Sequence, residues 1–138
     1  MPTMPSEDEV EAQLGMVFDE LVELIGETQQ AVWTASSPER RKVFNDLKLF
    51  IAEQARAIDE AEQRIGTRPP WIKSPSAHHP RNLAGEAAGD SDRLVQLLIQ
   101  NLRAVIDDVN GRAGTLDGEW RSFLLGVAEQ ITQHVDAL

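Results

Sequence analysis

Apolar residues recur along this chain at alternating spacings of three and four, the mark of helices that bury one face. Over residues 7–35 the series is Val10, Leu14, Val17, Leu21, Leu24 with Ile25, Thr28 and Val32. A second series, over 37–65, runs through Phe44, Leu47, Ile51, Ala55, Ile58, Ala61 and Ile65. A third, about 90–110, holds Leu94, Val95, Leu98, Ile99, Leu102, Val105, Ile106 and Val109. A fourth, about 117–137, holds Trp120, Phe123, Leu124, Val127, Ile131 and Val135, with Leu138 just beyond. No window alternates with period two between turn signals, so strands are not expected. The pattern predicts an all-α fold: one domain over 1–138, built as an antiparallel four-helix bundle.

The punctuation between these segments is uneven. Ser36 with Glu39 three residues on reads as a capping box, and Pro38 falls in the first turn, where its missing N–H costs nothing. This joint makes the first two helices an antiparallel hairpin. Gly66, Pro69 and Pro70 stop the second helix. Residues 67–89 hold Pro69, Pro70, Pro75, Pro80, Gly85 and Gly89 and predict a long Pro-rich loop. The third helix starts near Asp90 or Asp92 and stops at Asn110-Gly111 or at Gly114, and Thr115 or Asp117 caps the fourth. At about 3.3 Å per residue the loop can cross the whole bundle, so the direction of the third helix is open. Up-down-up-down is the simpler order.

A chain of 138 residues is long enough for one core without staples, and it has no cysteine to supply disulfides or thiolate ligands. Its start is acidic, without a basic n-region or an apolar h-region, and its apolar runs are as short as Phe123-Leu124-Leu125. These features predict a cytoplasmic protein with no membrane span. Charge then changes the picture. The net charge is −10, and residues 1–39 carry nine acids and no Lys or Arg, whereas the remainder carries fourteen acids against thirteen bases. Almost all the excess lies on the first helix. An acidic face repels phosphate backbones, which argues against nucleic acid and anionic membrane, and it suits a basic protein partner.

Four-helix bundles often house di-iron sites built from Glu-x-x-His. Here the residues three before His78, His79 and His134 are Pro75, Ser76 and Ile131, so a ferritin-like architecture would lack its usual motif. No phosphate loop, zincin motif or nucleophile elbow occurs. On a helical projection Thr28, Gln54, Glu62 and His134 fall within about 40° of the apolar centres, while Glu20, Glu23 and Glu27 lie about 90–150° away, as a hydrated flank. In the up-down-up-down order, Glu62 and His134 end on the side where the loop emerges. Glu62, His134 and the loop residues His78, His79 and Trp71 then form a candidate ligand-binding set. One carboxylate with imidazoles suits a transition metal, or an acid–base pair. Trp120 belongs to the core seam, Trp33 closes the hairpin end, and Trp71 staples the loop.

The third helix's apolar arc spans about 140°, with Leu97 off it and Leu125 on the outer side of the fourth helix. That excess predicts a homodimer through these two helices. The leading expectation is a non-enzymatic protein that acts by self-association or protein binding, with no cofactor required. The alternative is a metal- or small-molecule-binding bundle, an enzyme if the His/Glu cluster at the loop end is catalytic.

Overall fold

The computed structural model describes residues 7–65 and 81–138, and every regular element among them is helical. The elements are α1 (Glu7–Thr34), α2 (Pro38–Ile65), α3 (Leu83–Glu86), α4 (Ser91–Ala113) and α5 (Gly118–Asp136). The four long helices are the four periodic segments of the sequence, and each gives its apolar stripe to one core. Leu14, Leu21 and Leu24 of α1, Ile51 and Ile58 of α2, Leu98 and Leu102 of α4, and Leu124 and Ile131 of α5 are sealed from solvent. Truncating any one of these to alanine removes a packed side chain, a change that costs about 2–5 kcal/mol.

Side-chain pairs fix the relative directions. Lys48 reaches Gln29 at 2.6 Å, and Glu62 lies against Gly15, so α2 runs antiparallel to α1. Arg112 meets Gln13 at 2.9 Å and Asn101 meets Glu27 at 3.1 Å, so α4 also runs antiparallel to α1. Gln54 bonds Gln130, and Phe50 stacks on His134, which sets α5 antiparallel to α2. Arg103 meets Asp136 at 3.5 Å, so α5 is antiparallel to α4 as well. Both neighbours of α1 therefore point the same way. Arg40 and Asp92, at the starts of α2 and α4, pair at 3.3 Å.

The order is thus up-down-down-up, and the expected up-down-up-down is corrected. The cause is local. The residues ahead of α4 are tied to the C-terminal end of α1, where Gln30 donates to the carbonyl of Arg81 at 2.8 Å and accepts from the Ala84 amide at 2.9 Å. Leu83, fully buried, and Ala87 add an apolar anchor there. Helix α4 must start at that end, beside the start of α2.

Other boundaries also shift. Ser37, not Ser36, caps α2: its hydroxyl accepts from the Arg40 amide at 3.2 Å. Pro38 is the first helical residue, and Arg40 fills the place a capping-box Glu39 would need. Within the expected 67–89 loop, Asn82 caps the single turn α3 by accepting from the Gly85 amide at 3.0 Å, a turn the proline count hid. The ends of α4 do not shift: of the alternatives the sequence offered, Asp90 caps it through the amides of Asp92 and Arg93, and it passes through Gly111 to Ala113 with Gly114 as its C-cap. Leu97 is buried rather than off the packed face, because α4 also packs against α3 and α1. Trp33, by contrast, is 74% exposed and does not close the hairpin.

The cap makes a direct prediction. Ser37→Ala lowers stability by about 1 kcal/mol in urea unfolding, because the Arg40 amide loses its acceptor. Ser36→Ala stays within about 0.5 kcal/mol of the parent.

Candidate functional site

Glu20, Glu23 and Glu27 follow one another at spacings of three and four, so they line one flank of α1. Helix α4 presents Asn101, Ala104, Val105, Asp108 and Arg112 at helical spacing to the same flank. The small Ala104 leaves room between the helices. The result is an acidic groove of about 410 Å³ whose lining includes Glu20, Glu23, Glu27, Asp108, Asn101 and Arg81.

Both ends of the groove are cross-braced. At one end Arg112 reaches from α4 to α1. Its Nε donates to Asp108 at 2.6 Å, its Nη1 donates to Gln13 at 2.9 Å and contacts Met16 Sδ at 3.0 Å, and its Nη2 stands 3.7 Å from Glu20 Oε1. At the other end Arg81 grips Glu86 with two nitrogens, at 2.6 and 2.7 Å, and donates to Asn101 at 2.9 Å. Asn101 in turn donates to Glu27 at 3.1 Å. The fork on Glu86 holds that exposed carboxyl below its ordinary range.

The carboxylates are therefore not equivalent. Glu27 is only 5% exposed. Burial pushes its carboxyl up, and the bonds from Asn101 and the Arg81 amide pull against that shift. Glu20 is pushed up to about 8, first by burial and then by the neighbouring Asp108 carboxyl. Its Oε2 is sealed from solvent and receives no N–H. The contact with Asp108 becomes a hydrogen bond when Glu20 carries the proton, and this bond is the main reason Asp108 is held low. The expectation of a hydrated flank is thus corrected for Glu20 and Glu27, because α4 packs over them. Glu23 alone stays exposed.

The residues singled out from sequence are distributed differently. Glu62 is buried at 4% exposure, and Gly15 leaves room for its carboxylate between α1 and α2. His134 is exposed at the far end of α5, with its ring stacked 3.8 Å from that of Phe50 and its Nδ1 3.0 Å from the Gln130 carbonyl. Phe50 and Glu62 are twelve residues apart on α2, about 18 Å along the axis, so Glu62 and His134 do not meet. Trp71, His78 and His79 lie outside the described residues. Among the described residues no three His, Asp or Glu side chains group as metal ligands. Thr28 is satisfied within its own helix, donating to the Leu24 carbonyl at 2.7 Å, while Gln54 pairs with Gln130.

No protein-family model matches the chain, and no curated protein or solved structure proves similar to it. What the groove can do therefore rests on its own chemistry: it concentrates carboxylates on two facing helices and has room for a flexible cationic side chain.

The Asn101–Glu27 bond can be weighed. Asn101→Ala strips a buried carboxylate of a donor and costs about 1–3 kcal/mol at pH 7 in urea unfolding. The loss of that donor raises Glu27 further, so the deficit is smaller at pH 5 than at pH 7. An equal deficit at both values would mean that the cost is packing alone.

Proposed function

We propose that this protein is a non-enzymatic four-helix bundle that works by holding a basic segment of a partner protein in the groove between α1 and α4. The observation that carries this reading is the groove itself, lined by Glu20, Glu23 and Glu27 on one wall and Asp108 on the other. It lies on the helix that carries most of the chain's net charge of −10. Arg81 is committed to Glu86 and Asn101, and Arg112 to Asp108 and Gln13, so neither is free to neutralise a guest's position. Lysine or arginine side chains entering from solvent meet opposite charge from both helices.

Self-association has less to support it. Helix α4 exposes none of its large apolar side chains, the one exposed on α5 is Leu125, and Leu138 is exposed just past the end of α5. Much of the wide arc that suggested a dimer packs against α1, α3 and α5, with Val95, Ile99 and Val105 only partly buried. No helix among the described residues is long and apolar enough to cross a membrane.

Titration calorimetry with an arginine-rich peptide tests the reading. Binding is expected at low ionic strength and weakens steadily as salt is added. The double variant Glu23→Gln, Asp108→Asn loses about tenfold in affinity, or about 1.4 kcal/mol. Glu53→Gln with Glu129→Gln removes the same charge from exposed positions on α2 and α5 and leaves affinity within about twofold. Equal losses in the two double variants, or no binding at low salt, would contradict a groove-directed site.

A further inference from the structure

The Arg112 end of the groove has an imbalance that the binding proposal does not use. One guanidinium faces two carboxyl groups. Asp108 takes its Nε at 2.6 Å and Gln13 takes its Nη1, while the remaining nitrogen stands 3.7 Å from Glu20 Oε1. Glu20 Oε2 faces no donor and no solvent. With both carboxyls ionised the site holds one positive and two negative charges, and a sealed oxygen goes unsatisfied. A single proton removes both faults: it balances the charge and turns the Glu20–Asp108 contact into a hydrogen bond.

We infer that one proton, shared between Glu20 and Asp108, locks α1 against α4, and that its departure loosens this seam. The inference holds whether or not the groove binds a basic segment.

The surrounding groups sharpen the requirement. On α1, Glu23 and Glu27 add negative charge along the same flank. On α4, the charged groups facing the site are Asp108 and Arg112. Ahead of α3, Arg81 is the other cation of the groove, but it is held by Glu86 and lies toward Asn101 and Glu27. Among the described residues no lysine lines the groove. None of these groups substitutes for the proton. Burial pushes Glu20 up to about 8, so the lock opens over a mildly alkaline range rather than in acid.

The direction of the linkage follows. An unfolded glutamate releases its proton near its ordinary 4.5, whereas the folded one keeps it to about 8. The stabilisation is full below the lower value and is lost as pH rises to the upper one. Asp108 is shifted the opposite way, so its own contribution falls off only in acid.

Urea unfolding of the full chain from pH 6 to pH 9.5 reads this out. The parent's folding equilibrium constant falls with rising pH, by up to about tenfold per unit, and levels off above pH 8. Glu20→Gln, neutral at every pH, gives a flat profile over this range. Asp108→Asn moves the fall to lower pH, because its amide donates to an ionised Glu20 while burial still raises that carboxyl, and it serves if the first variant folds poorly. Glu23→Gln keeps the parent's slope. Parallel profiles for the parent, Glu20→Gln and Asp108→Asn would overturn the inference, as would a flattened slope in Glu23→Gln.

Discussion

The packing of α4 onto the carboxylate flank of α1 is the constraint on which the rest of the structure depends. Helix α1 gives one side to α2 through a short turn, an arrangement that costs little because the two are adjacent in sequence. Its other side carries Glu20 and Glu27, and covering that side removes charged groups from water. The fold meets this with one braced donor at each end: Arg112, held by the acceptors Gln13 and Asp108, and Asn101, held by Arg81. These contacts set the register of α4, and with it the direction of every helix that follows.

That register explains the topology. Once Arg112 stands by Gln13 and Asn101 by Glu27, α4 can only run opposite to α1 and alongside α2. Helix α5 then returns antiparallel to both, close enough for Phe50 to stack on His134. Arg121 closes the joint by donating to the carbonyls of Ala113 and Gly114, where a cation also meets the negative end of the α4 dipole. The Gln30 clasp on Arg81 and Ala84 fixes the start of α4, and the buried Leu83 keeps α3 in place. A polar seam and an apolar anchor thus act together at the end of α1 that the sequence joins to α2.

The periodic apolar series made the four long helices legible, because burial of a stripe depends only on spacing along one helix. Caps were legible to within a residue: Asp90 sits where its spacing suggests, and Ser37 displaces Ser36 because proline at 38 already defines the first helical position. The groove was not legible. A projection of α1 alone places Glu20 and Glu27 on a flank, and whether a flank meets water or another helix depends on a neighbour more than seventy residues away. The match between the Glu20–Glu27 stripe and the Asn101–Arg112 stripe was present in the sequence, but only the register between the helices makes it a pair. The same dependence dissolved the His134–Glu62 pairing, which needed a helix order the chain does not adopt. Leu97 followed suit: its burial comes from α4 having neighbours on more than one side.

With its Oε2 sealed beside Asp108 by the packing of α4, Glu20 is expected to hold a proton at neutral pH. Carbon-13 NMR of the glutamate side-chain carboxyls, assigned at Glu20 and followed from pH 4 to pH 10, observes that proton directly. The account predicts a titration step at Glu20 near pH 8. A Glu20 step between pH 4 and 5 would show an ionised carboxylate in the α1–α4 seam and would contradict the account.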